Sequence, residues 1–119
     1  MTDDLLVEKV LRAVELVPPG RVASYGDIAQ IVGTGPRQVG AIVARWGSDV
    51  SWWRITNASG DFPLHLLTRA REHWDEEGIP LKPNGRGCRI AAHRADLEVL
   101  ATAWHEATRD LPDTSNPED

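Results

Sequence analysis

Few side chains in this sequence are suited to covalent chemistry. The chain has one cysteine, Cys88, and four histidines: His65, His73, His93 and His105. No histidine stands at a paired metal-ligand spacing from the cysteine, so we expect neither a zinc site nor an internal disulfide. A lone cysteine is most often a small buried hydrophobe. An enzyme that uses Cys88 as its nucleophile stays an alternative.

Two adjacent tryptophans, Trp52 and Trp53, are suited to holding a flat ligand. They lie in the segment from Val50 to Thr56, whose β-branched and aromatic residues predict a short strand. In an extended chain the two indoles point to opposite faces, so one packs inside while the other lines a pocket. A base that stacks on such a ring gains about 1–3 kcal/mol. The pair therefore predicts an aromatic wall for an extruded base.

Composition predicts one domain with a basic region near its middle. The chain has 119 residues and a formal net charge of -5, which argues against nucleic acid because phosphate binding draws on basic surfaces. Residues 20–56, however, carry four arginines and two aspartates. The sequence has no long apolar run and no basic leader, which predicts a cytoplasmic protein without a membrane segment.

The first half of the chain carries the signals of three helices. Apolar positions at three- and four-residue steps predict a helix over residues 3–17. Ser24 and Asp27 have the spacing of a capping box, and the helix that they start ends at Gly33. A third helix runs from Pro36 to Trp46. Two short helices joined by a glycine-rich turn predict a helix-turn-helix.

The second half is predicted to complete the same domain. We expect a helix over residues 66–77, a hairpin at Asn84-Gly85 with residues 88–90 as the returning strand, and a last helical stripe over residues 97–104. The predicted fold class is mainly α, a winged helix-turn-helix-like DNA-binding domain with a small β element. The domain spans residues 1–109, and an acidic tail over residues 110–119 is predicted to be disordered.

Three motifs resemble the DNA-binding domain of the O6-alkylguanine-DNA alkyltransferases. The first is PPGRVASYGDIA from Pro18, which closely resembles the opening of their helix-turn-helix. The second is RQVGA from Arg37, which is similar to the Arg-x-Val-Gly start of their recognition helix. The third is WWRITN from Trp52, which falls where they carry Cys-His-Arg-Val. Residues 75–78 also match the acidic helix end that follows in that family.

The resemblance implies a protein that lacks the family's chemistry. Trp52 stands at the acceptor cysteine and Trp53 at the activating histidine, and an indole is neither a nucleophile nor a base. Tryptophan at the cysteine position marks the alkyltransferase-like proteins, although this chain departs from their usual Pro-Trp-His-Arg at Ser51 and Trp53. Such a protein has no catalytic residue and no cofactor. Glu77 stands at the position of the acid in the alkyltransferase proton relay, and here it has only a structural role.

The function implied is recognition of a lesion without repair. A member of this group binds double-stranded DNA that contains O6-alkylguanine through the minor groove, flips the damaged nucleotide into a pocket and flags it for nucleotide excision repair proteins. We expect a monomer, cytoplasmic and nucleoid-associated when bound to DNA.

The site residues implied by the resemblance divide into DNA contacts and pocket residues. Tyr25 would crowd the 3′ phosphate of the target, and Arg37 would fill the space that the flipped base leaves. The alternative for Tyr25 is packing on the core, and for Gly40 it is the close packing of two core helices. Arg54 could orient its loop or contact phosphate, and its alternative is a surface ion pair. The DNA contacts are Tyr25, Arg37, Gln38, Gly40, Arg45 and Arg54, and the lesion pocket is Ser51, Trp52 and Trp53.

A helix-turn-helix transcription regulator is the alternative function. In that protein the helix from Pro36 to Trp46 would read base edges in the major groove. Its exposed face offers few side chains that read bases, with Arg37, Gln38 and Arg45 the main candidates. The small number of base-reading side chains favours the lesion-binding interpretation.

Overall fold

Six α-helices and one two-stranded sheet make up the part of the chain, residues 4–112, that the computed structural model describes. None of these helices is long and apolar enough to span a membrane. The helices are α1 (Asp4–Leu16), α2 (Tyr25–Val32), α3 (Pro36–Trp46), α4 (Leu64–Glu77), α5 (Ile90–His93) and α6 (Leu97–Ala107). The strands are β1 (Ala23–Ser24) and β2 (Ile55–Thr56), and short 3₁₀ turns span Gly47–Asp49 and Trp52–Arg54.

The predicted helix-turn-helix, α2 and α3, is confirmed together with the residues that bound it. The Ser24 hydroxyl accepts from the Asp27 backbone N–H at 3.0 Å, and the Asp27 carboxylate accepts from the Ser24 N–H at 2.9 Å. Gly33 ends α2 with φ of 92°, a left-handed conformation that glycine adopts without strain. Pro36 then occupies the first turn of α3, where its missing N–H costs nothing.

The helix-turn-helix rests on a core shared by α1, α2, α3 and α6. Its fully or nearly buried members come from all four helices and include Val10, Val14, Ile28, Val39 and Leu100. α6 is also fixed by a hydrogen bond across 95 residues, in which the indole of Trp104 donates to the Lys9 carbonyl at 2.9 Å. α1 therefore packs against both helices of the helix-turn-helix, and α6 packs against α1 and α2.

A second, smaller hydrophobic core forms around α4. Trp74 of α4 is fully buried there, and its indole donates to the Trp53 carbonyl at 2.8 Å. Because α4 is anchored through this side chain, the face that α4 turns toward α3 has a fixed position. The buried members of this core are Val22, Phe62, Ala70, Trp74, Ile79 and Cys88.

The sheet is shorter than predicted and joins distant segments. β1 and β2 are parallel, with Ala23 opposite Ile55 and Ser24 opposite Thr56. The predicted strand from Val50 to Thr56 is wrong before Ile55, where a 3₁₀ turn replaces it. An extended chain would point residues 53 and 54 to opposite faces, whereas the turn brings both side chains onto one carboxylate.

The predicted hairpin is present, with a shorter returning arm. Gly85 lies in the turn with φ of 72°, and the backbone N–H of Lys82 donates to the Gly87 carbonyl at 2.8 Å. The antiparallel pairing ends with Leu81 opposite Cys88. The predicted strand over residues 88–90 is therefore wrong at its end, because Ile90 already begins α5.

The remaining boundaries differ from the prediction by a few residues. α4 begins at Leu64, two residues before the predicted start, with Pro63 at its cap. The predicted acidic tail begins at Asp110, whose carboxylate pairs with Arg12 at 2.7 Å. The prediction of disorder over residues 113–119 falls outside the described residues.

One carboxylate, Glu77 at the end of α4, fastens the loop that carries the tryptophan pair. Its two oxygens accept from the Trp53 indole at 2.8 Å, the Gly20 backbone N–H at 2.9 Å and the Arg54 guanidinium at 2.7 Å. Arg54 also donates to the Val17 carbonyl at 3.0 Å. We call the set of Gly20, Trp53, Arg54 and Glu77 the clasp. It joins the segment after α1, the loop before β2 and the end of α4.

The clasp shifts the acid–base equilibrium of its carboxylate. Burial alone raises the pKa of Glu77, but the hydrogen bonds from Arg54, Gly20 and Trp53 together hold that pKa below its ordinary value. The side chains of Arg54 and Glu77 are each 11% exposed, so the pair is only weakly screened by solvent. The ionised form of Glu77 therefore stabilises the folded state.

Replacing Glu77 should destabilise the protein in a pH-dependent way. Glu77→Gln should lower the free energy of unfolding at pH 7 by about 2–4 kcal/mol, because Arg54 then stays buried without its counter-charge. Since the folded pKa is depressed, the ionic contribution is present above the unfolded pKa of about 4.3 and disappears as the pH falls through the folded value. Urea unfolding at pH 7 and at acidic pH measures both effects.

The matched control is the exposed neighbour Glu76. Glu76→Gln should change the free energy of unfolding by less than about 0.5 kcal/mol at either pH. Equal stabilities of the Glu77 and Glu76 variants at pH 7 would show that the clasp contributes nothing to folding.

Candidate functional site

The exposed face of α3 combines small residues with arginines at its two ends. Arg37 projects from the first turn and Arg45 from the last, and both are exposed. The described chain places no carboxylate within ion-pair distance of either one. Between them, Ala41 and Ala44 are exposed and Gly40 is half-buried. This face is narrow, free of acid and able to approach another surface closely.

Four of the predicted DNA contacts lie on α3: Arg37, Gln38, Gly40 and Arg45. A Cβ atom built on Gly40 would lie 4.0 Å from the Tyr25 ring, so this part of α3 lies beside the start of α2. The side-chain amide of Gln38 folds back over Gly35 at the start of α3. The structure therefore brings Tyr25, Arg37, Gln38 and Gly40 together at the helix-turn-helix, and Arg45 lies at the far end of α3.

A cavity of about 210 Å³ opens between α3 and α4, next to this face. α3 and the turn after it form one side, α4 forms the other, and two aromatic rings from the intervening segment contribute to the lining. The lining residues are Tyr25, Val43, Ala44, Gly47, Ser48, Trp52, Phe62, His65, Leu66 and Arg69.

Trp52 is the largest aromatic wall of the cavity, and its ring is held in place by its neighbours. It makes edge contacts with Phe62, Trp53 and His73, at centroid distances of 5.7, 6.0 and 6.2 Å. The guanidinium carbon of Arg69 lies 5.7 Å from the Trp52 ring centroid, within the range of a cation–π contact. The indole is therefore a rigid surface with a cation beside it.

Trp53 and Ser51, which the sequence placed in the same pocket, do not line this cavity. The Trp53 ring stacks on His73 at 3.6 Å with 7° between the planes, and its indole N–H is bound to Glu77. The Ser51 hydroxyl accepts from Arg54 at 3.1 Å. The clasp therefore turns both side chains away from the cavity and leaves the wall to Trp52.

Arg54, predicted as a DNA contact, has an internal role instead. Its guanidinium donates to Glu77, to the Val17 carbonyl and to Ser51, and lies 5.3 Å from the Trp53 ring centroid. These contacts leave its side chain 11% exposed. Arg54 orients its loop, one of the roles that the sequence left open.

Tyr25 lies where the cavity meets the helix-turn-helix. The residue is half-buried at the start of α2, and burial raises the pKa of its phenol above the ordinary value. Like an ordinary tyrosine, it is protonated at neutral pH, so its hydroxyl can donate a hydrogen bond to a phosphate or a base.

Cys88 is unsuited to nucleophilic chemistry. It is fully buried in the second core, and burial raises the pKa of its thiol. A reactive cysteine needs access and a stabilised thiolate, and this one has neither. Within residues 4–112, moreover, no three His, Cys, Asp or Glu side chains come together as a metal site.

The α4 side of the cavity is not among the predicted site residues. His65, Leu66 and Arg69 stand at the helical spacing that places side chains on one face. That periodicity was a usable signal, but it does not show which element the face meets. Phe62 had no comparable signal, because its position depends on the turn between β2 and α4.

Comparison with known proteins places the chain in a family. Residues 6–79 match the family described as 6-O-methylguanine DNA methyltransferase, DNA binding domain. The DNA base-flipping protein of Escherichia coli (strain K12) is 32% identical over 90 residues, which cover 71% of this chain and 70% of that protein. Alkyltransferase-like protein 1 of Schizosaccharomyces pombe is 30% identical over 95 residues, covering 73% of this chain and 88% of the relative.

Solved structures agree with the sequence relatives. The crystal structure of S. pombe Atl1 in complex with damaged DNA containing O6-carboxymethylguanine matches 81% of this chain and 99% of its own, with a TM-score of 0.70 and 26% identity. A second crystal structure, of S. pombe ATL in complex with DNA, matches with a TM-score of 0.67 and 28% identity. The chain therefore belongs to the family of the 6-O-methylguanine DNA methyltransferase DNA-binding domain, and within that family it is an alkyltransferase-like protein.

Proposed function

We propose that this protein recognises O6-alkylguanine in double-stranded DNA by holding the extruded base in the cavity between α3 and α4. The observation that carries the proposal is the position of this cavity, walled by Trp52 and open beside the acid-free face of α3. Support also comes from the relatives, one of which is called a DNA base-flipping protein and another of which was solved with damaged DNA.

The cavity is small and partly aromatic in its lining. Its volume of about 210 Å³ is below the ~300–1,000 Å³ typical of pockets for drug-sized ligands. Trp52 and Phe62 offer aromatic surface, and stacking of one base on such a ring contributes about 1–3 kcal/mol. This gain offsets the few kcal/mol that unstacking the nucleotide costs.

The face of α3 is suited to entry through the minor groove. Gly40, Ala41 and Ala44 keep the helix slender along its exposed side, so that its backbone can approach a narrow groove. Arg37, in the first turn of α3, fills the space that the extruded base leaves, opposite the unpaired cytosine. Tyr25 donates to the 3′ phosphate and holds the rotated backbone.

We infer that binding does not lead to repair by this chain. Trp52 occupies the place of the acceptor cysteine, and Trp53 replaces the histidine that would activate it. Because the lesion leaves the site unchanged, a second activity must remove it, and we propose nucleotide excision repair proteins as the partners. The protein acts as a cytoplasmic monomer that joins the nucleoid when it is bound to DNA.

The role of Arg37 separates base flipping from ordinary helix-turn-helix binding. Arg37→Ala should weaken binding to a duplex with O6-methylguanine by about 2 kcal/mol, as loss of an inserted arginine would, and undamaged duplex by clearly less. It should also reduce the fluorescence of a base analogue placed at the lesion. Titration of both duplexes at two salt concentrations measures these effects, and Arg37→Lys should restore binding only in part.

Arg45→Ala provides the matched control, because it removes the same charge from the other end of α3. If Arg45 only contacts phosphate, Arg45→Ala should lower the affinity for both duplexes by the same factor. The slope of the logarithm of the binding constant against the logarithm of the salt concentration should then fall by about one unit. Equal losses on the two duplexes for Arg37→Ala as well, with base extrusion unchanged, would contradict the flipping role and favour the transcription-regulator alternative.

Alkyl transfer should require two substitutions. The natural protein should acquire no alkyl group from O6-methylguanine DNA, and Trp52→Cys alone should transfer slowly because no histidine links the new thiol to Glu77. Adding Trp53→His should raise the rate by about 10²–10⁴-fold, since general-base assistance contributes that much and Trp53 already hydrogen-bonds Glu77. Mass spectrometry of the intact protein follows the adduct.

Two outcomes would contradict this assignment. Rapid transfer by the single Trp52→Cys variant would show that another group, such as nearby His73, serves as the base. A stoichiometric adduct on Cys88 in the natural protein would show that the chain is an enzyme.

A further inference from the structure

The hairpin that follows α4, residues 81–88, presents an arginine to solvent. Arg86 is exposed next to the turn at Gly85, and within residues 4–112 no carboxylate lies at ion-pair distance from it. The chain as a whole has a formal net charge of -5, so an uncompensated cation on its surface is a local feature. Such a guanidinium is available to an anion from outside the molecule.

Arg86 lies next to a wall of the cavity. The Phe62 backbone N–H donates to the Arg86 carbonyl at 3.3 Å, and Phe62 lines the cavity. Phe62 also lines a second, more open depression of about 440 Å³. The residues that line this depression are Asn57, Asp61, Phe62, Pro63, Leu64 and Arg86. The depression and the cavity are therefore neighbours that share one residue.

Two glycines let the hairpin pack directly on the turn at residues 57–61. A Cβ atom on Gly87 would collide with the Gly60 carbonyl oxygen, and one on Gly60 would collide with the Cys88 carbonyl oxygen. The close approach allows the Cys88 backbone N–H to donate to the Gly60 carbonyl at 3.0 Å. The hairpin is therefore held against the segment that leads into the cavity wall.

The depression is left with a positive charge and a second donor. Asp61 supplies the only carboxylate among the described residues that line it, and this carboxylate pairs with Lys82 at 2.6 Å. The charge of Arg86 is therefore uncompensated. The Asn57 oxygen accepts from the backbone N–H groups of Ser59 and Asp61, each at 2.9 Å, which leaves the Asn57 NH₂ group for an outside acceptor.

We propose that the hairpin is a second DNA contact, in which Arg86 and Asn57 bind a backbone phosphate of the duplex beside the lesion. The inference rests on the proposed function and adds a contact outside both the helix-turn-helix and the cavity. Phosphate contacts set the position of a protein on a duplex without reading its sequence. The hairpin therefore steadies the duplex at the cavity wall formed by Phe62, while α3 occupies the groove.

The test measures binding of the full chain to an O6-methylguanine duplex and to an undamaged duplex of the same sequence. Arg86→Gln should weaken binding to both by the same factor, about threefold to tenfold at low salt, because every duplex carries the phosphate. The slope of the logarithm of the binding constant against the logarithm of the salt concentration should fall by about one unit. The side chain is exposed, so the variant should unfold in urea as the natural protein does.

A second variant tests the other donor. Asn57→Asp keeps the oxygen that accepts from Ser59 and Asp61, but it replaces the NH₂ group with an anionic oxygen. This charge would lie beside the phosphate, so binding to both duplexes should weaken. Equal affinity of this variant and the natural protein would remove Asn57 from the contact.

Neutral phosphate analogues locate the contact on the DNA. In a series of O6-methylguanine duplexes, each carries one methylphosphonate in place of a phosphate near the lesion. One position should weaken binding of the natural protein by about the same factor as Arg86→Gln does. The same methylphosphonate should leave the affinity of the Arg86→Gln variant unchanged, because the two changes remove one interaction.

Arg71→Gln is the matched control. Arg71 is exposed on α4 and lines neither the cavity nor the depression. It follows Arg69, which lines the cavity, by two residues, so the two side chains point away from each other. The variant removes the same charge as Arg86→Gln, but it should weaken binding by less than about twofold, since distant surface charges are screened.

The outcomes separate this inference from the function on which it rests. Affinities and a salt slope for Arg86→Gln that equal those of Arg71→Gln would overturn the hairpin contact and leave lesion recognition intact. A loss confined to the O6-methylguanine duplex would assign Arg86 to the extruded base and also overturn the inference. Equal affinity of the natural protein for damaged and undamaged DNA would contradict the proposed function itself, whatever Arg86→Gln does.

Discussion

The clasp at Glu77 is the constraint on which the site depends. One carboxylate fixes three segments that are far apart in sequence, through Gly20, the pair Trp53 and Arg54, and α4 itself. Trp53 is held on this carboxylate, and the edge of its ring contacts Trp52, which lines the cavity. The same contacts fix the end of α4 relative to the loop that carries Trp52, so they position two of the segments that line the cavity.

The clasp also includes residues at the positions that the alkyltransferases use for alkyl transfer, in the alignment that we propose. In the alkyltransferases that this chain resembles, an acid at the position of Glu77 acts with histidine to activate a cysteine. Here the Trp53 indole N–H donates to the carboxylate at 2.8 Å, and Arg54 forms an ion pair with it. In the alignment that we propose, Glu77 is a structural anchor, and Trp52 offers a base an aromatic surface at the position of the nucleophile.

The sequence predicted the parts of the fold that local chemistry specifies. The capping box of Ser24, the left-handed Gly33 and the N-terminal Pro36 each depend on neighbouring residues, so α2 and α3 were predicted with their bounds. The turn at Trp52–Arg54 was missed because it depends on Glu77, a partner more than twenty residues away. The same reason applies to Arg54 and to the α4 side of the cavity, since both are defined by tertiary contacts.

The central claim is that the cavity holds a base that has left the duplex. A crystal structure of the protein bound to a duplex with a single O6-methylguanine tests this most directly. The account predicts that the alkylated base lies between α3 and α4 against the Trp52 ring, with α3 in the minor groove and the Arg37 side chain in the vacated stack. An alkylated base that remains stacked in the duplex, or an α3 helix seated in the major groove, would contradict it.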